Sequence, residues 1–279
     1  MPDYYAVIGN PVAHSKSPWL HAEFSRQTGQ DVRYDALLAP IDGFGIAVAH
    51  FRQRGGKGMN VTVPFKREAY AISHRLSERS RIARAVNTLT FVDDEILGDN
   101  TDGAGLIQDI LGNLKFSITA KRVLLMGAGG AARGVLGPLL EQAPCMLAIA
   151  NRTRGKADEL RQQFSNGGNI ASGDYADLRG ERFNLIINAT SASLHGQLPV
   201  LPAGIFASGA MAYDMVYGDR RSIFLQFAQQ EGASRLADGI GMLVEQAAES
   251  FFLWRGIRPV TKPVIEMLCP GRGSSSLSA

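Results

Sequence analysis

Short apolar runs alternate along the chain with longer segments in which apolar residues recur every three or four positions. In the first part of the chain, apolar runs at residues 4–8, 32–38 and 59–63 alternate with helical patterns at residues 20–27 and 44–54. Strands that alternate with helices are typical of a doubly wound, mostly parallel sheet. The pattern therefore predicts an α/β fold.

A β-hairpin is predicted where two short apolar runs, residues 86–92 and 95–98, flank the pair Asp93-Asp94. The alternation then starts again with a strand over residues 121–126, and a length of 279 residues suits two domains. The other elements predicted in the second half are strands over residues 146–150, 185–189 and 211–216 and helices over residues 156–164, 222–231, 242–254 and 264–268.

Charge and composition narrow the class of protein. The chain carries 29 basic and 26 acidic residues, a net charge of +3, and the basic residues form no stripe, so a nucleic-acid partner is not expected. No apolar run reaches the roughly 18 residues of a membrane span, and no signal region is recognisable. The two cysteines and five histidines form no cluster with zinc-ligand spacing. We expect a cytoplasmic protein without a metal, and the sequence leaves its oligomeric state open, a homodimer included.

A glycine-rich loop follows the strand that restarts the alternation. Residues 123–132 read as an apolar strand, a G-x-G-x-x-A turn and the start of a helix. Gly127 allows the tight turn, Gly129 lets the backbone approach a pyrophosphate, and Ala132 keeps the helix close to the sheet. The alternative is a turn needed only for packing. We predict a dinucleotide site that includes Gly127, Ala128, Gly129, Gly130 and Ala131.

The end of the next strand distinguishes between the two nicotinamide cofactors. An enzyme that uses NAD usually has Asp or Glu there, whereas this chain has Asn151, Arg152, Thr153, Arg154 and Lys156. Guanidinium and ammonium groups pair with a 2′-phosphate, which a carboxylate would repel. The alternative is a set of solvated surface charges. The sequence favours NADP(H) and an oxidoreductase.

Two charged residues in polar loops are candidates for proton transfer. Hydride transfer at a carbon that bears oxygen requires a group to accept or donate the hydroxyl proton. Lys66 and Asp102 each follow a predicted strand, although either could be a surface charge or a helix cap. Ser17, which precedes Pro18, is predicted to be the N-cap of a helix.

Several motifs together resemble the shikimate dehydrogenases. The most specific are Ser-Lys-Ser-Pro at residues 15–18, Asn-Val-Thr-Val-Pro-Phe-Lys at residues 60–66 and Asn-Thr-Asp-Gly at residues 100–103. The resemblance extends over nearly the whole chain. It implies the reversible NADPH-dependent reduction of 3-dehydroshikimate to shikimate, on the pathway to chorismate and the aromatic amino acids.

The resemblance also implies roles for individual residues. Lys66 would be the catalytic acid/base, paired with Asp102. Ser15 and Ser17 would bind the substrate carboxylate, and Ser17 has the alternative of capping its helix. Further implied contacts to the substrate are Thr62, Asn87, Tyr217 and Gln246, where Asn87 has the alternative of holding a turn and Tyr217 that of packing at a strand end. Further implied contacts to NADP are Met215, Gly239 and Glu78.

Two domains follow from the same resemblance. Residues 1–102 with 240–279 would bind substrate, residues 103–239 would form a Rossmann-type NADP domain, and the active site would lie in the cleft between them. Three positions depart from the family pattern: Arg84 and Ser193 replace usual glycines, and Lys156 replaces a common arginine. The alternative functions are a quinate/shikimate dehydrogenase that uses NAD, and a nucleotide-sensing module without catalytic activity.

Overall fold

The structure is a computed structural model that describes residues 1–165, 167–218 and 220–269. It contains two six-stranded sheets, each with helices beside it. Contacts within the chain divide it into two units. Unit 1 comprises Met1–Gly105 and Leu243–Met267, and unit 2 comprises Leu106–Met242 and the chain from Leu268.

The first sheet belongs to unit 1 and has the strand order β2-β1-β3-β5-β6-β4. Strand β1 is parallel to β2 and β3, while β5 runs antiparallel to β3 and to β6. The hairpin predicted around Asp93-Asp94 is confirmed as the β5–β6 pair. The elements are β1 (Asp3–Gly9), α1 (Ser17–Thr28), β2 (Val32–Leu38), α2 (Phe44–Gln53), β3 (Gly56–Val61), α3 (Lys66–Ile72), β4 (Arg75–Leu76), α4 (Glu78–Ala83), β5 (Thr88–Val92), β6 (Glu95–Asp99) and α5 (Asp102–Ile107).

The start of α1 differs from the prediction. Ser17 is the first residue of the helix rather than its N-cap, and Lys16 in the N-cap position makes no side-chain cap. The backbone N–H of Ser17 donates to Ser15 Oγ at 3.2 Å instead. Pro18 has no amide hydrogen that needs a partner, so the first turn tolerates the missing cap.

Strand direction brings several loops of unit 1 to one edge of the sheet. Strands β1, β3 and β6 all end at this edge, and the antiparallel strand β5 begins there. The pairing of Asn60 with Thr88 and of Thr88 with Asp99 sets this alignment. The segments that follow β1, β3 and β6 and the segment that precedes β5 therefore lie together.

The second sheet belongs to unit 2 and is entirely parallel, in the order β12-β11-β10-β7-β8-β9. This is the Rossmann order, in which the crevice for a dinucleotide lies where the strand order reverses, between β7 and β10. Its elements are β7 (Arg122–Met126), α6 (Gly130–Glu141), β8 (Met146–Ala150), α7 (Arg154–Gln163), β9 (Ile170–Gly173), β10 (Phe183–Asn188), β11 (Phe206–Asp214), α8 (Ile223–Gln230) and β12 (Arg235–Asp238).

Helices cover both faces of this sheet. Val123 and Leu125 of β7 pack into one apolar cluster, and Leu124 and Met126 pack into the cluster on the opposite face. Successive strand residues point to opposite faces, so a strand buried on both sides is apolar throughout. The apolar run that predicted this strand is explained by its central position.

The last two helices are α9 (Ile240–Arg255) and α10 (Lys262–Leu268). Helix α9 is close to the predicted residues 242–254, and its apolar side is buried through Val244, Ala247 and Ala248. Residues 270–279, the last part of the predicted substrate domain, lie outside the described residues. Among the residues that the structure describes, no helix is long and apolar enough to cross a membrane.

Candidate active site

An ion pair lies at the shared strand edge of unit 1. Lys66 is the first residue of α3 and Asp102 is the first residue of α5, so each side chain starts where a polar loop becomes a helix. Lys66 Nζ lies 2.5 Å from Asp102 Oδ2, and the side chains are 22% and 8% exposed. A cation and a carboxylate this close together, and this well shielded from water, are able to share a proton with a bound hydroxyl group.

Asn87 contacts the other oxygen of the Asp102 carboxylate. Its Nδ2 donates to Asp102 Oδ1 at 2.8 Å, and its Oδ1 accepts the backbone N–H of Thr101 at 2.8 Å. A backbone N–H can only donate, so this contact settles which end of the Asn87 amide faces Asp102. Both carboxylate oxygens of Asp102 are therefore held by donors, Lys66 and Asn87.

Gln246 of α9 joins this group from a distant part of the chain. Its Oε1 lies 3.3 Å from Asn87 Nδ2 and 3.5 Å from Thr101 Oγ1, and its own Nε2 donates to the carbonyl of Leu243 at 2.8 Å. The structure thus brings together four of the predicted substrate residues, Lys66, Asn87, Asp102 and Gln246.

Three more predicted residues, Ser15, Ser17 and Thr62, follow strands that end at the same edge. The backbone N–H of Thr62 donates to the carbonyl of Ile8, the penultimate residue of β1, at 2.9 Å. A β carbon at Gly9 would lie 2.4 Å from Thr62 Cγ2, so glycine is needed for this close approach. Ser15 and Thr62 are half-buried and Ser17 is buried. The edge therefore carries three neutral hydroxyl groups.

In unit 2, the glycine-rich loop connects β7 to α6. Gly127 has φ +105°, a backbone conformation that favours glycine. A β carbon built at this position would lie 3.2 Å from the carbonyl oxygen of Ala189. Added β carbons at Gly129 and Gly130 would meet no atom within 4 Å, and α6 has no side-chain cap. The start of α6 therefore leaves room beside its uncapped N-terminus, where backbone N–H groups can bind a phosphate.

The predicted cations follow β8, beside the glycine-rich loop in the same parallel sheet. Arg154 Nη1 lies 2.9 Å from Asp177 Oδ2 and Arg154 Nε lies 3.7 Å from Asp158 Oδ2, so two carboxylates already neutralise this guanidinium group. Arg152 and Lys156 are exposed, and within the described part of the chain neither forms an ion pair. These two side chains have charge available for an anion.

Three predicted contacts, Met215, Tyr217 and Gly239, follow β11 and β12. A β carbon at Gly239 would lie 2.2 Å from the carbonyl oxygen of Met215, so the two segments touch only because residue 239 is glycine. Tyr217 lines a cavity of about 170 Å³ together with Ser193, Val216, Gly218, Arg220, Ser222 and Asp238. Burial raises the pKa of the Tyr217 hydroxyl, which therefore stays protonated at neutral pH.

Ser193 ties its loop to a buried carboxylate. Its Oγ accepts from Asn188 Nδ2 at 3.0 Å and donates to Asp214 Oδ2 at 2.9 Å, and Asp214 is fully buried. Burial raises the pKa of Asp214, while the hydroxyl groups of Ser222 and Ser193 oppose that shift. A glycine at position 193 would lack both hydrogen bonds, so the departure at this position adds an anchor to the loop.

Glu78 and Arg84 lie at opposite ends of α4. Glu78 is 79% exposed, and its carboxylate lies 3.8 Å from Arg81. Arg84 adopts the left-handed conformation, with φ 50° and ψ 39°, and its backbone N–H donates to the carbonyl of Ser80. The turn is therefore built with the geometry expected of glycine, at a steric cost of about 1 kcal/mol.

Comparison with known proteins identifies the family. Three family models match the chain. The shikimate dehydrogenase substrate binding domain matches residues 7–89, and the shikimate / quinate 5-dehydrogenase family matches residues 107–197. The shikimate 5′-dehydrogenase C-terminal domain matches residues 239–268. The shikimate dehydrogenase (NADP(+)) of Nitrosospira multiformis is 67% identical, over 98% of this chain and 100% of the relative. The chain belongs to the shikimate dehydrogenase family.

Solved structures agree with this assignment to the shikimate dehydrogenases. An Ael1 enzyme from Pseudomonas putida superimposes with a TM-score of 0.90 at 47% identity, over 95% of this chain and 98% of the other. The shikimate 5-dehydrogenase of Thermus thermophilus, solved in complex with NADP(H) and shikimate, superimposes with a TM-score of 0.84 at 32% identity, over 95% and 97% of the two chains. The expected α/β fold with an N-terminal substrate domain and a Rossmann domain is confirmed.

Three residues in or near this candidate site were not predicted from the sequence. Thr101 contacts both Asn87 and Gln246, and it could have been chosen because it lies inside the Asn-Thr-Asp-Gly motif. Ser250 could have been chosen because it lies one helical turn after Gln246. Tyr34, in β2, carried no signal in the sequence that separated it from an ordinary core tyrosine.

Proposed function

We propose that this chain catalyses the reversible NADPH-dependent reduction of 3-dehydroshikimate to shikimate, on the route to chorismate and the aromatic amino acids. Family membership supports the reaction, and the observation that carries the mechanism is the shielded Lys66–Asp102 pair. Unit 1 is the substrate domain and unit 2 is the NADP domain in this proposal.

Lys66 and Asp102 accept and donate the proton of the reacting hydroxyl group. When shikimate is oxidised, the carbon loses a hydride, the hydroxyl oxygen loses a proton, and a carbon–oxygen double bond forms. The ion pair accepts that proton, and in the reverse direction it returns the proton to the carbonyl oxygen as the hydride arrives. Asn87 holds Asp102 from its second oxygen and so keeps the carboxylate oriented.

Neutral polar groups bind the rest of the substrate. Ser15 and Ser17 offer hydroxyl donors to the carboxylate of the substrate, and Thr62, Asn87, Tyr217 and Gln246 are assigned to its ring and hydroxyl groups. A small polyhydroxylated anion requires donors and acceptors at several positions rather than one strong charge. The partly buried hydroxyl and amide groups at the strand edge of unit 1 meet that requirement.

The residues of unit 2 fit NADP. NADP supplies the hydride acceptor, and NADPH the donor, for the carbon of the substrate. The uncapped start of α6 and the open side of Gly129 and Gly130 suit a pyrophosphate, and Arg152 and Lys156 suit a 2′-phosphate. Further contacts to NADP are assigned to Gly127, Ala128, Ala131, Asn151, Thr153, Arg154, Met215, Gly239 and Glu78. The absence of a nucleic-acid partner, the cytoplasmic location and a homodimer stay predictions.

Replacing the lysine tests the assignment. Lys66→Ala is expected to lower kcat by roughly 10² to 10⁴, the usual contribution of a general acid/base, with unchanged affinity for NADP. Lys57→Ala, at an exposed position of β3, is the matched control and is expected to keep full activity. A Lys66→Ala enzyme with normal kcat would show that another group moves the proton.

Assays with shikimate and with quinate, each with NADP and with NAD, test the substrate and cofactor. We expect shikimate with NADP to have the highest kcat/KM of the four combinations. A higher value for quinate with NAD would replace the proposal by the quinate/shikimate dehydrogenase alternative.

A further inference from the structure

A chain of buried hydrogen bonds leads away from the Asp102 carboxylate into the interior of unit 1. It runs through Asn87, Thr88, Ser250 and Asn60 to Tyr34. Thr88 and Ser250 are fully buried, Asn87 is 3% exposed and Asn60 is 7% exposed. None of the three inner residues, Thr88, Ser250 and Asn60, belongs to the proposed substrate or cofactor contacts.

The direction of the outer bonds follows from the two ends of the chain. The Tyr34 hydroxyl donates to Asn60 Oδ1 at 2.7 Å, so the Asn60 amide must present its Nδ2 to Ser250 Oγ, 2.9 Å away. At the other end, the Thr88 hydroxyl donates to Asn87 Oδ1 at 2.8 Å, on the same oxygen that accepts the backbone N–H of Thr101.

Ser250 connects the two halves. Ser250 Oγ accepts from Asn60 Nδ2, donates to the backbone carbonyl of Gln246 at 3.0 Å and lies 2.8 Å from Thr88 Oγ1. At Asn87, rotating the amide by 180° would place its N–H groups against the hydroxyl group of Thr88 and the backbone N–H of Thr101. The chain holds the Asn87 Nδ2 toward Asp102 Oδ1.

We propose that Thr88 and Ser250 are positioning residues for the reaction. They orient Asp102 through the amide of Asn87. This inference rests on the proposed function. The alternative is that the hydroxyl groups of both residues only satisfy buried polar atoms. The two interpretations differ in turnover, because an oriented carboxylate contributes to the rate only through the geometry of the reacting atoms.

Thr88→Val removes the hydroxyl group at nearly constant shape. We expect kcat for shikimate oxidation to fall about tenfold, the factor that corresponds to one net hydrogen bond, with KM for NADP unchanged. Thr88→Ser, which restores the hydroxyl group, is expected to return kcat to within about twofold of the unaltered enzyme. Thr90→Val, two residues along β5 and outside the hydrogen-bond chain, is the matched control and is expected to leave kcat unchanged.

A double-variant cycle shows whether Thr88 acts through Asn87. In an Asn87→Ala background, Thr88→Val is expected to cause no further loss of kcat, because the group it orients is gone. Ser250→Ala serves as a second single variant that should fold readily, since alanine favours a helix, and it is expected to lower kcat about threefold.

Several results would overturn the inference: normal kcat in folded Thr88→Val and Ser250→Ala, no rescue by serine, or an undiminished effect of Thr88→Val in the Asn87→Ala background. The proposed function fails in a different way, because the unaltered enzyme would then not oxidise shikimate with NADP. The unaltered enzyme is therefore assayed first, and the variants are compared with its kcat.

Discussion

Replacing Gly241 by alanine tests how tightly unit 2 packs around a buried carboxylate. A β carbon at position 241 would lie 2.0 Å from Asp109 Oδ1 and 2.3 Å from Asp109 Oδ2, where real contacts stay above 3.0 Å. Asp109 is 3% exposed, Tyr213 donates to its Oδ2 at 2.7 Å, and Asn113 donates to its Oδ1 at 3.0 Å. The carboxylate must therefore move by about 1 Å and give up at least one of these bonds.

The expected loss of stability combines two terms. Overpacking of a well-filled core costs about 1–3 kcal/mol. Loss of one buried hydrogen bond to a charged group costs about 1.5–3 kcal/mol. The sum is roughly 2.5–6 kcal/mol, which corresponds to a fall in Tm of about 5–15 °C for a protein of this size.

Thermal unfolding followed by circular dichroism measures this loss. Gly45→Ala in α2 is the control, because an added β carbon there meets no atom within 4 Å, and its Tm is expected to rise slightly or stay the same. In an Asp109→Ala background, Gly241→Ala is expected to cost much less, since the overlapping group has been removed. A Tm within about 2 °C of the unaltered protein, or an undiminished fall in that background, would refute the reasoning.

Two further predictions concern the cofactor and the response to pH. Arg152→Ala is expected to raise KM for NADP about 10- to 100-fold and to leave kcat/KM with NAD unchanged. The reason is that only the 2′-phosphate of NADP loses a charge-assisted hydrogen-bond partner. An equal effect on both cofactors would contradict this. Burial lowers the pKa of His21 to about 3, from 6.5 in the unfolded chain. Between pH 6.5 and pH 3 the unfolded state therefore binds a proton that the folded state does not. The stability of the folded protein falls as the pH falls through this range. Urea unfolding at pH 6.5 and at pH 5 measures this fall. The free energy of unfolding of His21→Phe is expected to decrease between the two pH values by about 2 kcal/mol less than that of the unaltered protein. Equal decreases in the two proteins would rule this out.

Local signals in the sequence were sufficient for the long elements and for the cofactor loop. Strand β8 has the predicted bounds, residues 146–150, and the turn at Gly127 has the positive φ that its glycine implied. The short elements α3, α4, β4, β9 and β12 were not predicted, because so few residues cannot establish a period of 2 or 3.6. The N-cap at Ser17 was wrong because two neighbouring serines offered similar local chemistry, and only the path of the backbone distinguished them.

By itself, the sequence determined the α/β class, the glycine-rich loop, the cations that favour NADP and the motifs of the shikimate dehydrogenases, since each depends on residues close together in the chain. Only the tertiary structure decided which polar side chains meet. Lys66 and Asp102 are 36 positions apart, and Asn60 and Ser250 are 190 positions apart. The strand order, the register between β3, β5 and β6 and the return of α9 to unit 1 bring them together. Those pairings depend on contacts between distant segments, which no local pattern specifies.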